Sequence, residues 1–347
     1  MKSQVTNTRI PWIDMAKGYG TILVIYAHLG VGELWTWIYS FHLPLFFFLS
    51  GYVFSTKYDF IEFLIRKIKA IILPYFCYGT IMIAFVLLWN KFIYGTAFGL
   101  DDIMHYIKLL LRQQRFWTLW FMACLFFLNI GFYLLVKLCK QNFFIAFVSV
   151  LLPIIGLYYY KSGGTALYWN IDACLMAIPF FTCGYLCKQH IEKIETVLTQ
   201  KKTAICLFVA FALLNIISWK LSLDETGLGL EMFDSNYGNP LFTYIAAFSG
   251  IFCVIILSKN FTFKPIQYIG ENSMIYYTLH QTIMIPLVSK ILSLMGITKL
   301  MSSNASYFII YKWIWLIGII ILLTGCSFII GMIKSLNLQK KNNVYPN

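Results

Sequence analysis

Apolar residues are concentrated in ten long runs that are separated by short polar segments. The runs cover residues 11–29, 38–55, 70–90, 117–136, 143–160, 166–187, 203–221, 240–258, 273–292 and 306–333. A run of about 20 apolar residues is long enough to cross a bilayer as a helix. The pattern predicts an all-α, polytopic membrane protein with about ten transmembrane helices. We expect one integral-membrane domain over residues 1–347 and no soluble domain.

The distribution of basic residues predicts the orientation of the chain. An even number of spans places both termini on one side of the membrane. The polar segments on that side contain seventeen Lys and Arg residues, and those on the other side contain nine. Because cytoplasmic segments carry the excess of basic residues, we expect both termini to be cytoplasmic. The expected location is the cell membrane, plasma or inner, as a multi-pass protein.

The composition excludes an ordinary soluble domain. The chain is 60% hydrophobic and 12% charged, and its mean hydropathy is +0.73. The net charge of +13 would suit nucleic-acid binding, but the basic residues are dispersed between apolar runs. We therefore expect membrane lipid, and no nucleic acid, as a partner. The nine cysteines have neither metal-site nor redox spacing, so we expect reduced thiols and no metal.

Three ionisable residues share one face of the first apolar run. His28 follows Lys17 by eleven residues, which is three helical turns plus about 20° and roughly 16 Å of rise. Asp14 precedes His28 by fourteen residues and lies about 40° from the same line. Ionisable groups inside a membrane usually face a protein interior or a wet cavity. This face of the first run is therefore the leading candidate for the active site.

Two segments on the predicted outer side have distinctive patterns. Residues 99–116 carry a charged residue every three or four positions, at Asp101, His105, Lys108, Arg112 and Arg115. This pattern predicts an interfacial amphipathic helix that rests on anionic lipid or docks an anionic polymer or lipid-linked substrate. Residues 222–239 are acidic and glycine-rich, and they form either a flexible lid or an ordinary solvated loop.

Six segments occur in a characteristic order: WIDMAKGYGTILVIYAH, FHLPLFFFLSGYVF, FLIRKIKAIILPY, TLWFMACLF, AIPFFTCGY and YIGENSMIYYTLH. In this order they resemble the landmarks of the acyltransferase 3 family of integral-membrane acyltransferases, especially its fucose 4-O-acetylase-like branch. Lys17 stands where many members of that family carry Arg. A lysine keeps the charge but loses the bidentate fork of a guanidinium.

The resemblance implies transfer of an acetyl group from cytosolic acetyl-CoA to a hydroxyl of an extracytoplasmic or lipid-linked sugar in a cell-surface polysaccharide. The expected partners are acyl-CoA and the sugar acceptor, without a metal. An imidazole can take a proton near neutral pH, so His28 is the candidate general base, with a covalent acetyl carrier as the alternative. Asp14 is assigned to the catalytic group because it would orient Lys17; alternatively the pair only neutralises charge at the membrane boundary.

Four basic residues are candidates for binding the CoA phosphates. By the resemblance, Lys17 faces CoA, and Arg66, Lys67 and Lys69 form a phosphate-binding cluster. Arg66 is the best single candidate because its planar fork matches phosphate oxygens. The alternative is that the three clustered residues are only a cytoplasmic anchor for the spans.

Three further residues are candidates for binding the acceptor. His42 begins the second run near the level of His28, and it serves either the acceptor or the membrane interface. His280 lies within the ninth run, where we expect it to line the reaction tunnel. Asp172 lies near the outer end of the sixth run, where it binds a sugar hydroxyl or is an interfacial acid.

Two other functions compete with acyl transfer. A membrane exporter of a polysaccharide or small metabolite would also need ten spans and intramembrane charges. Binding of CoA distinguishes the two, because an exporter has no need for it. A non-catalytic assembly subunit leaves the stripe from Lys17 to His28 unexplained.

Overall fold

The computed structural model describes residues 9–227, 230–233, 235, 237–297 and 305–344, and helices dominate these residues. The helices are α1 Pro11–Ala27, α2 Leu34–Tyr39, α3 His42–Tyr52, α4 Phe60–Lys67, α5 Leu73–Tyr94, α6 Leu100–Arg112, α7 Trp120–Leu138, α8 Asn142–Lys161, α9 Ile171–Gln189, α10 Ile191–Thr199, α11 Lys201–Thr226, α12 Pro240–Asn260, α13 Lys264–Glu271, α14 Ser273–Leu279, α15 Ile285–Leu294 and α16 Ala305–Val344. A π-helical turn, Ile68–Ile72, joins α4 to α5, and a second, His280–Met284, joins α14 to α15.

Seven helical segments among the described residues are long and apolar enough to cross a membrane. They are Phe60–Tyr94, Leu100–Leu138, Asn142–Lys161, Tyr168–Gln189, Lys201–Thr226, Pro240–Asn260 and Phe308–Ile333. This confirms the predicted all-helical, multi-pass character of the chain. Each of the seven segments includes one of the ten predicted apolar runs, in whole or in large part.

The other three predicted runs are helical but short or interrupted. The run 11–29 is α1, which has 17 residues, and the run 38–55 contains α3, which has 11. The run 273–292 is divided among α14, the π-helical turn and α15. The ten-span count and the cytoplasmic termini therefore stay predictions.

The helices differ in how much of their surface the protein covers. In α7, α9 and α12, 56% of the apolar window is buried, whereas in α8, α11 and α16 the buried share is 22%. The first group forms the interior, and the second presents most of its side chains outward. Because lipid is as apolar as these side chains, their exposure is expected of membrane helices.

Two pairs of helices approach closely because glycine stands at the contact. A Cβ on Gly51 of α3 would overlap the carbonyl oxygen of Phe181, and one on Gly184 of α9 would overlap that of Phe48. Small residues allow this approach in membrane helices, which lack a hydrophobic driving force for association. In the same way, Gly270 of α13 contacts the backbone of Asp14 in α1. The segment that carries the predicted stripe is thus held at backbone distance from its neighbours.

We predict that Gly51→Ala destabilises the protein by about 1–3 kcal/mol, because α3 and α9 must separate to admit the methyl group. The measurement is the apparent melting temperature of purified protein in detergent. Gly131→Ala in α7 is the matched control, since a Cβ there meets no atom within 4 Å. Equal melting temperatures for the two variants would show that the contact between α3 and α9 is not tight.

Candidate active site

A cavity of about 510 Å³ lies where α1, α2, α3 and α6 meet the turn that follows α14. Its wall contains three histidines, His28, His42 and His280, and two charged side chains, Arg115 and Glu231. Aromatic rings supply much of the remaining wall: Tyr39, Tyr106, Phe116, Trp117, Trp120, Phe233 and Tyr277. A concave, mostly apolar space with a few convergent polar groups is typical of a ligand site.

The three histidines reach the cavity from three separate places in the fold. His28 ends α1, His42 is the first residue of α3, and His280 begins the π-helical turn after α14. The rings of His28 and His280 meet edge to face, with 4.9 Å between their centroids. Single-turn π segments often occur at functional sites. The structure thus brings together the three histidines that the sequence marks as candidates.

Each of these rings is oriented by a backbone carbonyl one turn earlier. His28 Nδ1 lies 2.8 Å from the carbonyl oxygen of Val24, and His42 Nδ1 lies 2.9 Å from that of Ile38. His280 Nδ1 lies 2.8 Å from the carbonyl oxygen of Tyr277. A carbonyl oxygen only accepts, so Nδ1 carries the proton in each neutral ring. In all three rings, Nε2 is therefore left as an acceptor.

The two rings that meet differ in what Nε2 contacts. The Tyr39 hydroxyl lies 3.1 Å from His28 Nε2 and donates to it. His280 Nε2 is buried and has no hydrogen-bond partner among the described residues. Buried acceptors without partners are rare and often mark a functional site. At this end of the cavity, His28 Nε2 therefore already accepts a hydrogen bond, whereas His280 Nε2 accepts none from the described residues.

The part of the cavity wall that contains Trp117 is fixed to α14. The Tyr277 hydroxyl donates to the carbonyl of Thr118, and the Thr118 hydroxyl donates to the carbonyl of Thr278 at 3.1 Å. These bonds hold the short 3₁₀ turn Trp117–Leu119 against the helix that leads into His280.

Arg115 anchors the side of the cavity next to this turn. Its guanidinium donates to Asp172 at 2.5 Å, to Asn170 at 2.7 Å and to Ser235 at 2.8 Å. Tyr160 also donates to Asp172. The ion pair is buried, with side-chain exposures of 9% for Arg115 and 1% for Asp172. Pairing and hydrogen bonding of this kind are what a buried charge requires.

Two strained turns meet at this ion pair. Gln113, Arg115 and Trp117 have φ values of 45°, 55° and 45°, and Trp169 and Asn170 have 58° and 54°. Non-glycine residues rarely adopt this left-handed conformation, which costs roughly 1–3 kcal/mol each unless the surroundings enforce it. Here the Asn170 side chain accepts from the backbone N–H of Arg115 at 3.0 Å and links the two turns.

The amphipathic helix predicted over 99–116 exists but is shorter than expected. It is α6, which ends at Arg112, and it presents Tyr106 and Leu109 to the cavity. The prediction that placed Arg115 on its basic face is wrong. Arg115 lies beyond the helix in the strained turn and points into the buried network instead.

The remaining candidates from the first and sixth runs lie outside the cavity wall. Lys17 and Asp14 form an ion pair at 3.5 Å near the other end of α1, as their spacing predicts. Asp172 is fully occupied by Arg115, Tyr160 and the backbone N–H of Leu167. Its contribution to the cavity is therefore indirect, through the position of Arg115. Its predicted contact with a sugar hydroxyl stays untested.

The basic residues that follow the second run occupy a separate exposed pocket. Arg66 and Lys69 line a space of about 470 Å³ beside α4. Arg66 donates to Glu62 at 2.7 Å and lies 3.9 Å from the ring centroid of Tyr58. Lys67 instead stacks its ammonium over Phe63 at 5.3 Å.

The predicted lid over 222–239 contributes to the cavity in part. Residues 222–226 belong to α11, and residues 230–233 line the cavity, including Glu231. Residues 228, 229, 234 and 236 lie outside the described residues. Burial raises the pKa of Tyr237 in this loop well above its usual value.

Sequence patterns missed Tyr39 and the true position of Arg115. Tyr39 lies three residues before His42, a spacing that places the two side chains close together on a helical turn, and this signal could have found it. The burial of Arg115 depends on left-handed turns, and the residue types in these turns do not predict that conformation. Among the described residues, no group of three or more His, Cys, Asp or Glu side chains is arranged to hold a metal ion.

Comparison with known proteins identifies a matching family model. A family model described as an acyltransferase domain matches residues 10–332, which is nearly the whole chain. No curated protein and no solved structure matches the chain.

We predict that Asp172→Asn destabilises the protein by about 3–5 kcal/mol, because it leaves the buried Arg115 charge without its counter-ion. The measurement is again the apparent melting temperature in detergent. The control is Glu33→Gln, which breaks the exposed pair between Lys220 and Glu33, and should change stability by at most about 0.5 kcal/mol. Similar effects in the two variants would contradict the structural role of the buried pair.

Proposed function

The chain belongs to the acyltransferase family whose model it matches, and from this premise we propose that it is a membrane O-acetyltransferase. The donor is acetyl-CoA from the cytosol. The acceptor is a hydroxyl of an extracytoplasmic or lipid-linked sugar that becomes part of a cell-surface polysaccharide. The resemblance of the six ordered segments to the fucose 4-O-acetylase-like branch supports the choice of a sugar.

The geometry of His28 is the observation that carries this proposal. Its Nδ1–H is held by the carbonyl of Val24, and its Nε2 accepts from Tyr39 in the wall of the cavity. A general base has to present an unprotonated nitrogen at hydrogen-bond distance from the proton that it removes. The Tyr39 hydroxyl occupies the position that an acceptor hydroxyl would take.

In the proposed reaction, one proton is transferred twice, first to His28 and then from it. As the acceptor oxygen attacks the thioester carbonyl carbon, His28 Nε2 takes the hydroxyl proton. When the carbon–sulfur bond breaks, the electron pair leaves on the CoA sulfur, and the imidazolium returns the proton to that thiolate. Positioned acid–base catalysis of this kind contributes about 10²–10⁴-fold in rate.

The wall of the cavity suits a sugar. Trp117, Trp120, Tyr106 and Tyr277 present flat apolar faces with polar edges. Aromatic rings of this kind contact the apolar face of a pyranose and leave its hydroxyls for the polar groups nearby. His42 and His280 are the groups that we assign to the acceptor hydroxyls.

The donor is assigned to the other end of α1. Lys17 lies eleven residues before His28, so about 16 Å of helix separates the two side chains along the axis. We assign the CoA phosphates to Lys17, with Asp14 orienting it, and to Arg66, Lys67 and Lys69. Arg66 and Lys69 line the exposed pocket beside α4 together with Asp59 and Glu62, so a phosphate there would have to replace Glu62 as the partner of Arg66. The assignment of the donor requires the predicted orientation, with ten spans and cytoplasmic termini, because the acetyl group then reaches His28 from the cytoplasmic side.

The first experiment follows labelled acetyl from acetyl-CoA into surface glycan in membranes that carry wild-type protein or His28→Ala at matched levels. We predict that the variant loses at least about 10²-fold of the transfer rate, because the base is gone. His190→Gln, at an exposed histidine between α9 and α10, is the control and should keep full activity.

Three results are distinguishable in that experiment. Label that depends on the protein and persists in His28→Ala keeps the acyltransferase and rejects the base. Label that disappears in His28→Ala but not in His190→Gln supports both. The absence of protein-dependent label together with no binding of CoA would favour the exporter.

A second prediction concerns the donor. Replacing Arg66 and Lys69 together by Gln should raise the KM for acetyl-CoA about 10-fold and leave kcat unchanged, because these charges lie far from the reacting atoms. Lys137→Gln, at an exposed lysine of α7, should change neither constant. A lowered kcat with an unchanged KM would contradict the assignment of the cluster to CoA phosphate.

A further inference from the structure

A lysine is buried in the last described helix, α16. Lys312 is 7% exposed, and its ammonium donates to the backbone carbonyl of Leu29, the residue after His28. The rings of Phe308 and Trp315 lie 4.6 Å and 5.0 Å from the ammonium. Cation–π contacts of this kind partly replace the water that a buried ammonium loses.

The position of the ammonium distinguishes it from a membrane anchor. An anchoring lysine extends its charge outward to water while its stem lies on apolar surface. Lys312 instead turns its charge inward, onto the turn that directly follows the C-terminal end of α1. The carbonyls at a helix C-terminus have no partner within the helix and carry the negative end of the helix dipole. A cation there is favourable, and Lys312 supplies one from another helix.

A second contact joins the same two segments. Tyr26 of α1 stacks on Trp313 of α16, with 4.8 Å between ring centroids and 27° between the planes. Tyr26 and Leu29 lie on either side of His28 in the chain, and Trp313 follows Lys312 directly. The backbone that presents the His28 ring is therefore held by α16 on both sides.

The same helix also holds the segment that presents His280. The Thr324 hydroxyl of α16 lies 2.7 Å from the Tyr276 hydroxyl of α14. The carbonyl of Tyr276 is 3.1 Å from His280 Nδ1. One helix thus contacts the supports of both imidazoles whose rings meet in the cavity.

We infer that Lys312 is a positioning residue, which fixes the end of α1 so that His28 faces His280 and Tyr39 in the cavity. The inference rests on the proposed function for its effect on rate, but its geometric part does not. When the ammonium is lost, the Leu29 carbonyl has no partner from α16, and the turn that follows α1 is free to shift. His28 Nε2 then moves away from the reacting atoms, where a displacement of about 1 Å can cost 10²-fold in rate.

The test compares Lys312→Met with Lys312→Arg. The methionine variant should lose at least about 10-fold in kcat while the KM values for donor and acceptor stay unchanged. Arginine can still donate to the carbonyl, so Lys312→Arg should recover most of kcat. Lys290→Met, at an exposed lysine of α15, is the control and should behave as wild type.

A readout that needs no transfer activity is the rate at which diethyl pyrocarbonate modifies His28, followed by mass spectrometry. Lys312→Met should raise this rate, because a displaced His28 loses its Tyr39 and Val24 partners, and Lys312→Arg should not. The exposed His105 serves as the internal reference.

The outcomes separate the two proposals. An unchanged modification rate and an unchanged kcat in Lys312→Met overturn the positioning role. A raised modification rate in a protein whose His28→Ala variant still transfers acetyl keeps the positioning role and rejects the catalytic one. If Lys312→Met fails to fold, Trp313→Leu removes the stacking on Tyr26 and should raise the modification rate of His28 to a smaller extent. No rise in that variant also overturns the inference.

Discussion

A ring N–H buried among membrane helices must find an acceptor within the protein, because the surrounding hydrocarbon supplies no water. His28 and His42 satisfy this requirement at the carbonyl one turn earlier in the chain, and His280 does so at the end of α14. The proton is thereby assigned to Nδ1, and the ring loses its freedom to rotate. Helical geometry thus selects the nitrogen that can do chemistry before any substrate is bound. The cavity wall therefore contains three imidazoles whose Nδ1 protons are held by backbone carbonyls.

The same constraint governs the part of the wall that contains Arg115, where a full charge is buried. The two terminal nitrogens of the Arg115 guanidinium donate to Asp172, Asn170 and Ser235, and Asp172 accepts from two further groups. The buried Nε of Arg115 has no hydrogen-bond partner among the described residues. A buried pair satisfied to this degree is weak evidence for added stability, but it rigidly specifies geometry. It holds two turns in left-handed conformations that would otherwise relax. This part of the cavity wall is therefore a fixed surface, which suits an enzyme that orients an acceptor.

Patterns along the chain predicted most of the helices and brought forward all three cavity histidines, since an ionisable residue in an apolar run is itself a signal. They also predicted the contact between Asp14 and Lys17, which depends only on helical spacing. They did not predict the burial of Arg115 or the inward turn of Lys312, because both depend on contacts between distant segments. Hydropathy found the run 11–29 but not the end of α1 at Ala27, and it does not detect the π-helical turn at His280, since it counts apolar residues without detecting where a helix ends.

The shortness of α1 has a direct consequence for chemistry. Its 17 residues span about 25 Å, which is less than the roughly 30 Å of a hydrocarbon core. In the orientation that we propose, a helix of this length that starts at the cytoplasmic surface ends below the outer one, and His28 then lies beneath the outer boundary, next to α6 and residues 230–233. In the proposed mechanism, the charged part of the donor stays near Lys17 while its reactive end reaches the histidine, and the acceptor meets it from the opposite side.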